Sequence, residues 1–319
     1  MFSVNIPKGS INLAGLLYEP TVSPGVKAPG IVVIHPGGGV KEQTANTYAA
    51  RLSKQGYVTI CYDASHQGDS GGLPHFLEDP NTRVSDVSAV VDYLQTLDDM
   101  VDASRIAVVG IESGGGYAVA AAKGDHRIKA VAIVSAVNIG DAARLGWFGS
   151  EHPSDKVAGL EQAAQAIQAE VEAGNSGGGG GGGDGTPMSA PYVPPALDDA
   201  MPRDLRESHD YYLTPRGRHR NAQNKMLLRS VPLVMNFDAW HFADLFLSQP
   251  LLVIVGGKAE SRWHSEKLCQ LLLGGKRKKE NLKTIVVPEA RHIDFYDRDE
   301  FVDPAIEDIV KYFGDHLTA

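Results

Sequence analysis

Short unbroken apolar runs, separated by stretches of helical spacing, dominate the chain. Ile31 to His35, Tyr57 to Tyr62, Ile106 to Val109, Ile128 to Val134, Leu251 to Val255 and Leu282 to Val287 are too short for helices. They lack polar alternation, as expected of strands covered on both faces. Between them, Thr44 to Gln55 has helical spacing and stops at Gly56, a C-cap residue. Val84 to Leu97 places Val87, Val90, Val91 and Leu94 on one helical face, and Gly114 to Ala122, Ser265 to Leu273 and Pro304 to Leu317 also read as helices. At the start, Phe2 to Ile6 and Ile11 to Tyr18 form a predicted hairpin around Pro7 to Ser10. The alternation predicts an α/β fold with a doubly wound, mostly parallel sheet.

The alternation breaks between residues 138 and 248, which is too long for a loop. The expected organisation is a core from 1–137 and 249–319, with an inserted cap at 138–248. The insertion carries a predicted helix, Lys156 to Glu172, and a glycine run from Gly177 to Gly183 followed by Asp184-Gly185. Seven consecutive glycines lose too much backbone entropy on ordering, so residues 174–186 read as a flexible tether. A phosphate cradle would need a following helix with Lys and Ser/Thr, and none follows.

Composition narrows the partners. With 319 residues, 43% hydrophobic and 22% charged, the chain has an ordinary globular make-up. Its formal net charge of -9 argues against a nucleic-acid partner. The short basic run Lys276 to Lys279 is followed at once by Glu280 and reads as a solvated loop. Cys61 and Cys269 form no motif, which fits a reducing, cytoplasmic setting, and Cys61 reads as a small core residue. MFSVNIPKGS is not a secretory signal, and no apolar run is long enough to span a bilayer. The histidines show no metal-ligand spacing, and no motif calls for a cofactor. The expected partner is a small molecule, and a homodimer is left open.

The candidate chemistry starts at Gly110-Ile111-Glu112-Ser113-Gly114, between a predicted strand and a predicted helix. A nucleophile elbow takes the form Gly-x-Nu-x-Gly, because its sharp turn crowds the residues two before and two after the nucleophile. That spacing puts Glu112 at the tip. Ser113 is the alternative, but it would place Ile111 and Gly115 at the crowded positions, and a branched side chain fits poorly there. His35-Pro36-Gly37-Gly38-Gly39 follows the first parallel strand, so the N–H groups near Gly37 and Gly38, with that of Ser113, could bind a developing oxyanion. His35 itself reads as structural. His292, just after the last strand, is the candidate general base. Glu260, past the strand Leu251 to Val255, is the candidate acid to orient it, with Asp238 as runner-up; either could instead be a surface or helix-capping carboxylate.

These residues carry a resemblance. The chain resembles the α/β-hydrolase branch that holds dienelactone-hydrolase-like proteins and fungal polyketide acyltransferases and hydrolases. The likeness rests on His35-Pro36-Gly37-Gly38, Asp63 to Gly72, the elbow, Tyr211 to Gly217, Phe237-Asp238-Ala239 and His292 to Asp297. It implies the α/β-hydrolase fold with a cap. The chain departs from that branch at the elbow, where such relatives place cysteine or serine. A carboxylate attacking an ester would give a mixed anhydride, whereas attack on an epoxide carbon gives a stable alkyl ester that activated water can hydrolyse. The design is similar to the epoxide hydrolases of this fold, including those of fungal polyene-pyrone (aurovertin-type) pathways. The resemblance implies cap tyrosines that hydrogen-bond the opening oxygen, for which Tyr211 and Tyr212 are candidates. The expectation is an epoxide-opening hydrolase or cyclase on a polyketide-like metabolite. An ester or thioester hydrolase or acyltransferase, using Ser113 or water activated by Glu112 and His292, and a non-catalytic binding protein are the alternatives.

Overall fold

The computed structural model describes residues 1–20, 25–175, 187–275 and 279–318. The glycine run expected to act as a tether lies outside these, as does most of the basic run at Lys276. In chain order the elements are β1 (Phe2–Lys8), β2 (Ile11–Tyr18), β3 (Ala28–Ile34), α1 (Thr44–Ser53), β4 (Val58–Tyr62), α2 (Pro80–Thr96), β5 (Val101–Ile111), α3 (Ser113–Gly124) and β6 (Ile128–Val134). Then come α4 (Ile139–Leu145), α5 (Val157–Asn175), β7 (Ser189–Ala190), α6 (Arg203–Leu213), β8 (Met226–Leu227), α7 (Ser230–Asn236) and α8 (Ala243–Phe246). The chain finishes with β9 (Leu251–Gly256), α9 (Arg262–Gly274), β10 (Leu282–Val287), α10 (Asp294–Asp297) and α11 (Asp299–His316).

Eight strands form one sheet in the order β1-β2-β4-β3-β5-β6-β9-β10. The hairpin β1–β2 and the pair β2–β4 are antiparallel, and the rest are parallel. From β3 the chain moves outward to β4, then returns on the other side of β3 as β5. This reversal puts the loops after β3 and β5 side by side at the carboxyl ends of their strands, where such sheets bind ligands. The two faces are covered by separate apolar clusters. One includes Val32, Val108, Ile133 and Trp240, and the other Val33, Val109, Ile254 and Phe313, all buried. Cys61 lies in the second, and burial pushes its thiol well above the usual range.

Element ends differ from the predicted ones for identifiable reasons. Helix α2 begins at Pro80 rather than Val84, because Asp79 accepts from Asn81 N–H and Thr82 N–H and caps it. Strand β5 starts at Val101, since a shift in register against β3 lets the polar stretch Asp102 to Arg105 stay in the sheet. Between β6 and β9, α5 matches a predicted helix. The short helices α4, α7 and α8 and the β7–β8 ribbon carry too little period to be read from sequence, and α6 is amphipathic but so polar overall that no apolar run marks it. Among the described residues, no helix is long and apolar enough to cross a membrane.

One buried polar network ties α2 to the loop after β3. Glu78 and Arg83 are buried, with Arg83 Nη1 3.5 Å from Glu78 Oε2. Tyr117 Oη donates to Glu78 Oε1 at 2.5 Å and Tyr192 Oη to Glu78 Oε2 at 2.6 Å. Arg83 Nη2 donates to the His35 carbonyl at 2.8 Å, and its guanidinium lies over the Tyr117 ring. Removing one partner of a buried ion pair strands the other charge, so Arg83→Met should destabilise by about 3–5 kcal/mol. Urea unfolding checks this, and a loss below ~1 kcal/mol would show that Glu78 does not depend on Arg83.

Candidate active site

Glu112 sits at the turn between β5 and α3 with φ 56° and ψ −123°, a conformation that side chains other than glycine rarely adopt. Backbone bonds hold it there: Glu112 N–H donates to Val134 O at 3.1 Å, and Glu112 O accepts from Gly115 and Val137 N–H, each at 2.9 Å. The flanking glycines are required by contact. A Cβ on Gly110 would lie 2.2 Å from Gly114 O, and one on Gly114 would lie 2.4 Å from Ile34 O. The Gly-x-Glu-x-Gly spacing therefore forms the tight elbow, with Glu112 at its tip.

The Gly37 N–H donates to Glu112 Oε2 at 2.9 Å. The loop after β3 thus spends its first donor on the carboxylate of the elbow residue. Gly38, at φ 66°, lies beneath the Tyr192 ring, where a Cβ would come within 2.6 Å of Tyr192 Cδ2. Ser113 is fully buried, its Oγ has no hydrogen-bond partner among the described residues, and it does not line the cavity above Glu112. His35 serves the loop: its Nδ1 lies 2.7 Å from Pro36 O, and its Nε2 accepts from Ala64 N–H at 3.1 Å. Burial, with help from the Arg83 charge, holds its pKa well below the usual value, so the ring is neutral.

His292 shares this cavity. Its Nδ1 is 2.6 Å from Ser261 Oγ and its Nε2 is 3.3 Å from Tyr296 Oη, while the Trp147 ring meets it edge-on at 5.5 Å. Burial lowers its pKa to about 4, partly offset by the Glu112 carboxylate. With Nδ1–H donating to Ser261, Nε2 is a free base at neutral pH.

Neither predicted acid reaches His292. Glu260 Oε2 accepts from Asp204 N–H at 2.9 Å and so caps the first turn of α6, an arrangement its residue type also allows. Asp238 accepts from Asn138 Nδ2 at 2.7 Å and from Trp240 N–H at 2.9 Å, and it lines a different surface groove. The oxygen on His292 Nδ1 belongs to Ser261, the residue immediately after Glu260.

The cavity measures about 160 Å³. Glu112, His292, Tyr212 and Tyr296 make its chemical wall, and Val137, Ile139, Ala142, Trp147, Val193 and Leu205 its apolar one, with Gly37, Tyr192 and Ser208 completing the lining. Burial and the Glu112 charge both push the Tyr212 and Tyr296 hydroxyls well above their usual pKa, so both remain donors. Tyr211, the other candidate, is buried behind Tyr212 with its ring against Gly217, and it does not line the cavity. Tyr296 lies four residues after His292, one helical turn on; that spacing was the available signal for it. No local pattern marks Tyr192, Trp147 or Ser261.

Among the described residues, no lysine or arginine lines this cavity. Elsewhere among the described residues, Glu42, Asp63 and Asp69 come close enough together to hold a cation. The Lys41 ammonium already occupies their centre, at 2.7, 2.8 and 2.8 Å from them.

His264 is also buried and held neutral, at about 3, chiefly by burial and then by His292; among the described residues neither ring nitrogen has a hydrogen-bond partner. Asp204 is pushed up to about 7 by burial and by Glu260. Below pH 6.5 the unfolded chain protonates His35, His264 and His292 while the folded chain does not, so stability falls on acidification. Asp204 acts in the opposite sense, because the folded chain keeps its proton between about pH 4 and 7. The net effect of these four groups approaches two protons, a slope of about 3 kcal/mol per pH unit toward pH 4.5. Replacing the unpartnered His264 by phenylalanine should reduce that slope by about 1.4 kcal/mol per unit in urea titrations between pH 6.5 and 4.5. An unchanged slope contradicts a buried neutral His264.

Comparison with known proteins places this geometry. The model of the Alpha/beta hydrolase family matches residues 31–303. The uncharacterized protein YcjY of Escherichia coli (strain K12) is 38% identical over 309 residues, 97% of this chain and 95% of that protein. The uncharacterized protein PA2218 of Pseudomonas aeruginosa is 33% identical over 96% of this chain and 78% of its own. The crystal structure of PA2218 superposes with a TM-score of 0.87 at 30% identity, covering 99% of this chain and 93% of that one. The fungal likeness is partial: a thiohydrolase of Eupenicillium brefeldianum is 33% identical over 118 residues, 37% of this chain and 38% of that protein. Family match, full-length relatives and sheet agree: the chain belongs to the alpha/beta hydrolase family, whose membership indicates a hydrolase acting on a small molecule.

Proposed function

We propose that this protein opens a small, uncharged epoxide, with Glu112 as nucleophile and His292 as the base that frees it. The observation that carries this reading is the Gly37 N–H bound to Glu112 Oε2. In a serine or cysteine enzyme that donor waits for the oxyanion of the substrate. Here it fixes one oxygen of the enzyme's own carboxylate and leaves Oε1 to attack.

In the first step Oε1 bonds to an epoxide carbon and the ring C–O bond breaks. The departing oxygen takes a proton from Tyr212 or Tyr296, the two hydroxyls that share the cavity wall with Glu112. In the second step water attacks the carboxyl carbon of the Glu112 ester and gives its proton to His292 Nε2. The oxyanion formed there is the former Oε2, already paired with the Gly37 N–H. Collapse breaks the bond to Oε1, and the departing alkoxide takes the proton from His292 and leaves as a diol. The proton left on the Glu112 carboxylic acid passes by way of His292 to the tyrosinate, restoring all three groups. Residues 138–248 act as the cap in this scheme, contributing Trp147, Tyr192, Leu205 and Tyr212 to the lining.

The cavity also argues about size. Its 160 Å³ is close to the roughly 150 Å³ of a protein cavity that holds benzene, which favours a compact substrate over an extended polyketide. The lack of basic residues among the described residues of the lining favours a neutral one. A second reading, ester or thioester hydrolysis by water that Glu112 and His292 activate, draws on the partial likeness to a thiohydrolase.

One experiment separates them. In a single turnover of styrene oxide in heavy-oxygen water, the first reading puts the label in the Glu112 carboxylate, read by peptide mass spectrometry. Label in the product alone contradicts a covalent Glu112. Glu112→Gln should lose at least about a thousandfold in kcat/KM, and Tyr212→Phe about a hundredfold, mainly in ring opening. Full activity in Glu112→Gln would sink both readings.

A further inference from the structure

Among the described residues, no carboxylate meets His292 Nδ1 to orient it, yet the serine that does is itself held by one buried acid. Asp204, at the second position of α6, has no exposed surface. Its Oδ2 accepts from Ser261 N–H at 3.2 Å and from Glu260 N–H at 2.8 Å. Ser261 is the residue whose Oγ meets His292 Nδ1. On the other side, the Trp147 ring packs edge-on against His292, and among the described residues Trp147 Nε1 and Asp204 Oδ1 are both buried without a hydrogen-bond partner. The Glu260 carboxylate is the charged group facing Asp204, and it returns the contact by accepting from Asp204 N–H. The pairing therefore runs both ways between the first turn of α6 and the loop before α9.

We propose that Asp204 is the positioning acid of this site, acting on His292 at one remove through Ser261. It supplies from the cap what a triad carboxylate would supply from the core loop. Two features argue against a merely structural role. A buried carboxyl raised toward neutrality, beside a second carboxylate, costs the fold stability that an apolar side chain would not. In addition, the residue it meets besides Glu260 is the one whose hydroxyl fixes the Nδ1 edge of the His292 ring. Because α6 also carries Tyr212, Asp204 joins the donor of the ring-opening step to the base of the hydrolytic step on one element.

This inference rests on the proposed two-step reaction, and its test keeps the two apart. In that reaction His292 acts only in hydrolysis of the Glu112 ester. Asp204→Ala should therefore slow ester hydrolysis by about 10–100-fold, as loss of an orienting partner typically does, while ring opening stays within about threefold of wild type. Rapid-quench kinetics with styrene oxide, following alkylated protein by intact mass, reads both steps. Asp204→Asn keeps an oxygen that can accept from both N–H groups, so it should recover most of the loss; it also serves if the alanine variant folds poorly. Ser261→Ala should reproduce the hydrolytic defect, and the double variant Asp204→Ala/Ser261→Ala should be no slower than the worse single one, since the two act through one path.

Additive losses, or a ring-opening defect as large as the hydrolytic one, overturn the proposal. If wild-type protein never forms the ester, the proposed reaction fails, and Asp204 is then judged by nitrogen-15 NMR of the His292 ring. The proposal expects the Nδ1 signal to lose its hydrogen-bonded shift in Asp204→Ala and keep it in Asp204→Asn. An unaltered His292 spectrum in Asp204→Ala rejects it without reference to any substrate.

Discussion

The hydrogen bond from Gly37 N–H to the Glu112 carboxylate is the contact on which the site depends. It exists because the sheet reverses direction at β3, so that the loop after β3 and the elbow after β5 emerge side by side. It also needs an elbow tight enough to hold Glu112 at a positive φ, which Gly110 and Gly114 permit by leaving no Cβ against the neighbouring backbone. The β3 loop is braced in turn by the buried Glu78–Arg83 pair, by His35 and by the Tyr192 ring over Gly38. A donor that most members of such a fold offer to a substrate is here committed to the enzyme's own side chain. That commitment orders the chemistry: it suits a carboxylate that attacks and is then itself attacked.

The remaining parts of the site come from the other end of the sheet and from the segment between β6 and β9. His292 is buried and neutral, with an oxygen rather than a carboxylate on its Nδ1. The carboxyl group proposed to stand in for it, Asp204, lies one contact further back, on α6. A base built this way is weaker than one paired directly with an acid. In the reaction proposed above, however, the water it activates attacks an ester whose oxyanion already has a fixed donor. In the proposed reaction the demand on the base is correspondingly smaller.

How much of this the sequence revealed follows from how local each feature is. The central strands were legible because continuous apolar runs such as Ile128–Val134 have no other use in a doubly wound sheet. Glu112 was legible because steric crowding fixes the spacing of Gly110 and Gly114 around it. The orienting group was not, because residue type does not tell which way a side chain points. Glu260 has the expected place after β9, yet it turns toward α6 and leaves His292 to its neighbour Ser261. Asp204 is 56 residues away along the chain from Glu260, and pairing at that range leaves no trace in local pattern. Tyr211 and Tyr212 are adjacent and chemically identical, and only the helical phase of α6 puts Tyr212 on the cavity wall. The cavity volume, which argues for a compact substrate, is a property of packing between distant segments and has no sequence signature at all.

The central claim is that Glu112 becomes covalently bound to the substrate. Its most direct measurement is to trap that bond by disabling the second step. His292→Gln protein mixed with excess styrene oxide should gain the mass of one substrate molecule per chain, and the adduct should map to the peptide containing Glu112. Protein that stays unmodified while still turning over substrate, or an adduct on any other residue, contradicts the account.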